Sequence, residues 1–191
     1  MRVSCRMAAT IAILAGTAVA SATAQSLEEK VSVCAGCHGE KGVPVDGSIP
    51  VLAGQNEGYL YLQMRDYKLG NRSNPVMGSI AQALEKPDML ALAHWFATQP
   101  WPDLRQPTAP PDVAERASRV ADSAVCQSCH IDGWRGTGAT PRLAGQGESY
   151  LRQTMAAFRS GERANNPWMA ALLKTYSDGD IDALARYLAG L

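Results

Sequence analysis

Apolar residues along this chain recur at helical spacing in short segments that loops separate. No segment has the apolar–polar alternation of a half-buried strand, so the pattern predicts an all-α protein. The predicted helices run from Ser26 into the 34–38 segment, from 56 or 57 to 69, from 87 to 98, from Asp112 toward Cys126, from 149 to 158 and from 178 to 188.

Two of these helices have start signals. Ser26 and Glu29 have the Ser-x-x-Glu spacing of a capping box. Asp112 is a candidate cap for the helix before Cys126. Apolar residues then recur at helical intervals, at Val113, Ala117, Val120 and Val125.

The chain contains an internal repeat, and its spacing divides the sequence into two copies of one unit. A Cys-x-x-Cys-His motif at 34–38 returns 92 residues later at 126–130. The match extends beyond it: Leu-Ala-Gly-Gln at 52–55 and 143–146, Tyr-Leu at 59–60 and 150–151, Gly-x-Arg at 70–72 and 161–163, and Asn-Pro-x-Met at 74–77 and 166–169.

A proline-rich segment separates the copies. Five prolines among residues 99–111 exclude a continuous helix and favour an extended, stiff linker. We therefore predict one domain at 25–98 and another at 112–191. Each has roughly 75 to 80 residues, a size at which an apolar core alone is thin and a buried cofactor would add apolar area.

The first 24 residues have the layout of a cleavable signal peptide. Arg2 and Arg6 precede an apolar run, and small residues at 22–24 precede Gln25. The run is too short for a membrane-spanning helix. The sequence therefore predicts export to the periplasm and a mature chain that begins near Gln25, with peripheral membrane association left open.

Cleavage would change both the charge and the cysteine content. It removes two of the 18 basic residues against 18 acidic ones, which leaves a net charge of about −2. No basic face for nucleic acid is indicated. Cys5 leaves with the signal, so the four remaining cysteines all belong to the two motifs.

The repeated Cys-x-x-Cys-His motif is the attachment signature of c-type haem. Two thiolates form thioethers with the haem vinyl groups, and the adjacent histidine binds the iron. The alternatives for Cys-x-x-Cys are a redox disulfide, which would need a βαβ setting, and a zinc site, which would need ligands at other spacings. We predict two covalently bound haems, with thioethers at Cys34, Cys37, Cys126 and Cys129 and iron ligands at His38 and His130.

Methionine is the predicted sixth ligand in each copy. Met77 and Met169 each lie 39 residues after the motif histidine and follow Asn-Pro-x, where a loop would present the side chain. Met64 and Met155 lie inside apolar helices, where methionine usually fills core space. Met89 has no methionine counterpart, which indicates packing alone.

Other residues repeat near the motifs or lie outside them. Pro50 and Pro141 follow the histidines by 12 and 11 residues, and their carbonyls are candidate acceptors for the second imidazole nitrogen. Arg72 and Arg163 are candidates for haem propionate contacts or for a solvated surface role. His94 is expected at a helix position that is exposed or where its ring has hydrogen-bond partners. The alternative is a role as a pH-sensitive group or as an iron ligand.

On these motifs the sequence resembles the dihaem cytochrome c4 family. The likeness covers nearly all of residues 25–191 and implies two tandem class I cytochrome c domains, each wrapped around a covalent haem with His/Met ligation. The resemblance implies a periplasmic carrier of single electrons, often between a quinol-oxidising complex and a terminal oxidase. The long linker departs from the family pattern and leaves the packing of the halves open, and the oligomeric state is not indicated.

Two other functions stay open. The same unit resembles the cytochrome subunit of flavocytochrome c sulfide dehydrogenase, in which a flavoprotein performs the chemistry. A catalytic dihaem enzyme, such as a peroxidase or a thiosulfate dehydrogenase, would need an exchangeable site on one iron. Since both copies offer a methionine at the same interval, we predict an electron-transfer protein of the respiratory chain and no enzyme.

Overall fold

The computed structural model describes residues 25–191, and the predicted signal peptide at 1–24 lies outside them. The described residues are helical apart from loops and one isolated bridge between Thr137 and Thr140, which confirms the all-α prediction. The helices are α1 (Leu27–His38), α2 (Glu57–Lys68), α3 (Pro75–Gln82), α4 (Lys86–Ala97), α5 (Pro111–Ser123), α6 (Ile131–Trp134), α7 (Glu148–Ser160), α8 (Pro167–Leu173) and α9 (Asp178–Ala189), with 3₁₀ turns at Glu40–Gly42 and Cys126–Ser128.

Each half of the chain has its own apolar core beneath its last helix. In the first half, α4 packs on α1 and α2, and α3 packs on α2. In the second half, α9 packs on α5 and α7, and α8 packs on α7. Met89 is buried in the first core, which confirms its predicted packing role. None of the helices within residues 25–191 has the length and apolar character needed to cross a lipid bilayer.

The start of α1 confirms the predicted capping box. The backbone N–H of Glu29 donates to the Ser26 hydroxyl at 3.2 Å, and the N–H of Ser26 donates to the Glu29 carboxylate at 2.8 Å. These bonds satisfy N–H groups that have no partner inside the helix. The helix then continues through the whole first motif.

The start and end of α5 correct the prediction for the second copy. The helix begins at Pro111, so Asp112 lies in its first turn and is not the cap. Proline suits this position because the first helical N–H needs no partner. The helix ends at Ser123, and Val125 is 65% exposed with a left-handed backbone (φ 48°). The predicted apolar stripe therefore stops before Val125.

The two halves pack on each other with approximate two-fold symmetry. The N–H of Tyr59 donates to the carbonyl of Gly138 at 3.0 Å, and the N–H of Tyr150 donates to the carbonyl of Gly47 at 3.0 Å. Each tyrosine begins the Tyr-Leu pair of its copy, and each glycine lies three residues before the repeated proline. The interface is therefore isologous, as in a two-fold dimer.

Residues 100–110 of the linker have no regular secondary structure, and Gln106 lies against the second half. Gln106 donates through Nε2 to the carbonyls of Gln146 at 3.0 Å and Ala189 at 3.1 Å. Its Oε1 accepts from the N–H of Glu148 at 2.9 Å. The predicted absence of a continuous helix is confirmed, although Pro111, the last residue of the predicted linker, opens α5. The bonds of Gln106 hold the linker against the second domain, so it is not a free spacer.

Candidate functional site

The first Cys-x-x-Cys-His motif occupies the last turn of α1. Cys34 is partly buried against the first core, Cys37 is exposed and His38 is buried. Residues three and four apart share one face of a helix, so the motif side chains are neighbours. The helix ends at Gly39 (φ 74°), where a β-carbon would overlap the carbonyl of Val43.

Both motif histidines are held by the predicted proline carbonyls. His38 Nδ1 lies 3.0 Å from the carbonyl oxygen of Pro50, and His130 Nδ1 lies 3.0 Å from that of Pro141. Because a carbonyl oxygen only accepts, Nδ1 carries the proton and donates. Burial lowers the pKa of both imidazoles, although the carbonyl bond opposes it. Each ring is therefore neutral, with the lone pair on Nε2 available to a metal.

The second motif has a different backbone from the first. Cys126 opens a 3₁₀ turn after α5, and His130 lies just before α6. Cys126 is partly buried against the second core, and Cys129 is exposed. Burial raises the pKa of the Cys34 and Cys126 thiols. The two motifs thus offer the same arrangement of one sheltered thiol, one exposed thiol and one buried imidazole.

Met77 and Met169 lie in the first turns of α3 and α8. The side chain of Asn74 accepts from the N–H of Met77 at 2.9 Å, and that of Asn166 accepts from the N–H of Met169 at 3.2 Å. The expectation that a loop presents these side chains is wrong. An asparagine cap followed by proline starts a helix in each copy. Both methionine side chains are half-buried at the start of a short helix.

The other repeated pair of methionines packs in the cores. Met155 on α7 is buried in the second core, and Met64 on α2 packs against the first. The prediction that they fill core space is therefore confirmed.

Arg163 is buried at the interface between the halves, with 6% of its surface exposed. It donates to Gln63 Oε1 at 2.8 Å and Asn165 Oδ1 at 3.0 Å, and its guanidinium lies 4.3 Å from the centre of the Phe158 ring. Among the described residues its Nη1 has no hydrogen-bond partner. A buried guanidinium nitrogen without an acceptor is costly, so the site is suited to an external carboxylate.

Arg72 lies in the same cluster and also contacts neutral groups. It donates to Gln63 Oε1 at 2.9 Å and to the Tyr150 hydroxyl at 3.3 Å. Burial would raise the pKa of Tyr150, but the guanidinium groups of Arg72 and Arg163 outweigh it and lower this pKa to about 7. Neither guanidinium group has a carboxylate partner among the residues that the structure describes. The surface interpretation is wrong for Arg163, which is buried, whereas Arg72 is half-buried. A haem propionate would supply the anion that both guanidinium groups lack.

His94 lies on α4, outside both motifs. Its Nδ1 is 3.0 Å from Glu57 Oε2, and both side chains are exposed. This agrees with the prediction of an exposed helix position.

Sequence reasoning did not assign a role to the glutamines and tyrosines that repeat beside the motifs. Gln55 and Gln146 are buried, and each forms hydrogen bonds with the opposite half. Tyr59 and Tyr150 do the same. Their recurrence in both copies was the available signal, but recurrence alone did not indicate that they face the other domain.

Comparison with known proteins gives consistent matches. The family model described as Cytochrome c matches residues 114–191. A cytochrome c4 of Azotobacter vinelandii is 34% identical, with 93% of each chain covered. A thiosulfate dehydrogenase electron acceptor of Stutzerimonas stutzeri is 36% identical, covering 83% of this chain and 78% of the relative. The crystal structure of reduced cytochrome c4 from Pseudomonas stutzeri superposes with a TM-score of 0.77 at 29% identity, covering 86% of this chain and 96% of that one.

The fold and the paired sites define a dihaem c-type cytochrome, an electron carrier with covalently bound haem c and class I cytochrome c domains. The neutral imidazoles, the paired thiols and the unmatched guanidinium nitrogen fit that cofactor. The chain belongs to the cytochrome c4 family.

Proposed function

We propose that each domain holds one haem through four side chains of its own copy. The chain divides into domains at 25–98 and 112–191, joined by the linker at 99–111. In the first domain the thioethers are at Cys34 and Cys37, and the axial ligands are His38 and Met77. In the second they are Cys126, Cys129, His130 and Met169.

Haem, when bound, supplies a one-electron centre whose potential depends on its axial ligands. The residues of the chain determine how that centre is held. The proline carbonyls orient the two imidazoles, and the methionine thioethers would close the sixth positions to outside ligands. Arg163, with its unmatched nitrogen, would neutralise a propionate. These roles favour fast electron exchange without bond-making.

The mature protein is then a periplasmic carrier of single electrons, and not an enzyme. The observation that carries this proposal is the matched pair of buried histidines, each on a proline carbonyl at 3.0 Å. Both copies also place a methionine 39 residues later, and its thioether would occupy the sixth position of each iron. The partners would be a quinol-oxidising complex as donor and a terminal oxidase as acceptor.

The ferric spectrum tests the ligation. We expect two low-spin haems with the sulfur-to-iron charge-transfer band of His/Met ligation. A high-spin haem that readily binds cyanide or peroxide would instead indicate a catalytic dihaem enzyme. Mass analysis of the periplasmic protein should give two haems and a chain beginning near Gln25. Retention of residues 1–24 would contradict the export proposal.

The second candidate is an electron-accepting subunit of a periplasmic dehydrogenase. The similarity to a thiosulfate dehydrogenase electron acceptor favours it. Stopped-flow reduction by a purified periplasmic dehydrogenase, compared with reduction by a quinol-oxidising complex, separates the two functions. Faster reduction by the dehydrogenase would favour the subunit, and the reverse would favour the free carrier.

A further inference from the structure

The side chain of Gln146, in the second half, binds the backbone of Val51 in the first half at two points. The N–H of Val51 donates to Gln146 Oε1 at 2.9 Å, and Gln146 Nε2 donates to the carbonyl of Val51 at 3.1 Å. Gln146 is 2% exposed and Val51 is 1% exposed. Only this orientation of the amide satisfies both backbone groups, because the N–H must meet oxygen and the carbonyl must meet nitrogen. Gln146 therefore clamps one residue of the opposite domain.

The same clamp occurs in the other direction. The N–H of Arg142 donates to Gln55 Oε1 at 2.7 Å, and Gln55 Nε2 donates to the carbonyl of Arg142 at 3.0 Å. Gln55 and Gln146 end the two Leu-Ala-Gly-Gln segments, and Val51 and Arg142 directly follow the two repeated prolines. The clamps are thus related by the two-fold arrangement of the halves.

Each clamped N–H belongs to the peptide group that holds a motif histidine. The carbonyl of Pro50 and the N–H of Val51 are the two ends of one peptide, and that carbonyl accepts from His38 at 3.0 Å. A continuous series of hydrogen bonds therefore connects Gln146 Oε1, through this peptide, to His38 Nδ1. Hydrogen bonds in series polarise each other, so an acceptor on the N–H makes the carbonyl a stronger acceptor.

The second half contains the equivalent series of hydrogen bonds, in which the glutamine belongs to the first half and the histidine to the second. Gln55 Oε1 accepts from the N–H of Arg142, and the carbonyl of the same peptide, that of Pro141, accepts from His130 at 3.0 Å. The glutamine that acts on each histidine therefore comes from the other domain.

We propose that Gln146 and Gln55 are positioning residues that tune the reduction potentials across the interface, Gln146 for the haem of the first half and Gln55 for that of the second. This rests on the proposed ligation by His38 and His130. A stronger acceptor at Nδ1 makes the imidazole a better electron donor to iron and favours the ferric state. Docking of the halves thereby lowers both potentials, and each domain sets the potential of its neighbour.

The test is a pair of single substitutions in the mature holoprotein, Gln146→Leu and Gln55→Leu, followed by redox titration. Nuclear magnetic resonance spectra recorded through the titration assign each potential to a half. We expect Gln146→Leu to raise the potential of the first haem, with a change of about two- to fourfold in the ratio of reduced to oxidised haem at a fixed potential. The His38 Nδ1–H resonance should move upfield while that of His130 stays. Gln55→Leu should instead raise the potential of the second haem, and the His130 Nδ1–H resonance should move upfield while that of His38 stays.

Asn56→Ala is the matched control. Asn56 Nδ2 also donates across the interface, to the carbonyls of Arg135 at 3.0 Å and Thr140 at 2.6 Å. It does not bind the peptide group between Pro141 and Arg142, whose carbonyl holds His130. It should leave both potentials unchanged.

Three results would overturn the proposal: a shift confined to the haem of the substituted half, equal shifts in both haems, or shifts in Asn56→Ala as large as those in the glutamine variants. Two unchanged potentials in variants that keep two low-spin haems would also overturn it and leave the proposed function intact. Loss of low-spin His/Met haem in the parent protein would instead overturn the proposed function.

Discussion

Arg72 of the first half donates through Nη2 to the hydroxyl of Tyr150 in the second half, with 3.3 Å between the two atoms. The equivalent bond runs from Arg163 to the hydroxyl of Tyr59, also at 3.3 Å. Each half thus supplies the cation for one bond and the hydroxyl for the other. Arg163 is buried and the other three side chains are half-buried, so the two bonds are partly shielded from water and contribute to the docking of the halves.

Replacing Tyr150 with phenylalanine should weaken that docking. The change removes the acceptor of Arg72 Nη2 at a half-buried position, while Nη1 keeps its bond to Gln63. We expect a loss of about 1 kcal/mol in the free energy of unfolding, measured by chemical denaturation. Tyr187→Phe on α9 is the control and should change stability by less. Equal losses in both variants would contradict a specific role for the Arg72–Tyr150 bond.

Asp180 should make stability depend on pH at the acid end. It accepts from the Ser177 hydroxyl at 2.6 Å and the Ser177 N–H at 2.9 Å, and from Arg116 at 2.9 Å. These bonds lower the pKa of its carboxyl from 3.8 to about 2. Since the folded-state pKa is depressed, the stabilisation is fully present above pH 3.8 and is lost as pH falls through about 2.

The measurement is the unfolding free energy of Asp180→Asn against pH. The variant should be less stable than the parent by about 1 kcal/mol at neutral pH, because it weakens the capping box of α9. The difference should shrink as the pH falls from 3.8 to about 2. A difference that stays constant over this range would show that the carboxylate charge is not responsible.

A side chain at Gly145 should destabilise the protein. Its backbone has φ 74°, and a β-carbon would lie 2.9 Å from Nε1 of the linker residue Trp101. Gly145→Ala should therefore destabilise the protein by about 1 kcal/mol or more. Thermal unfolding of the variant and of the parent protein measures the loss, and an unchanged unfolding temperature would contradict it.

Met77→Ala and Met169→Ala should each remove one of the two axial thioethers. We expect each variant to lose about half of the sulfur-to-iron band, because the proposed ligation places one thioether on each iron. Met64→Leu and Met155→Leu are the controls, since both methionines pack against the cores. A full band in Met77→Ala, together with a reduced band in Met64→Leu, would move the ligand assignment to the other pair.

Local pattern predicted much of the structure. The capping box at Ser26 and the helical periodicity of α2, α4, α7 and α9 depend on residues within a few positions of each other. The hydrogen bond between each motif histidine and a proline carbonyl was also predicted from the sequence, because the two residues lie 11 or 12 positions apart in both copies. Two of the local errors fell at places where two signals competed. Proline displaced Asp112 from the cap, and asparagine with proline turned the expected loop at Met77 into a helix.

By itself the sequence determined the helical class, the duplication and the covalent haem chemistry, because each is encoded in residues close together along the chain. Only the tertiary structure decided how the halves meet. The clamp from Gln146 to Val51 joins residues 95 positions apart, and the buried state of Arg163 depends on Gln63, 100 positions away. Periodicity reports which face of a helix is apolar, but it carries no information on which polar groups of two separate domains will be removed from water together.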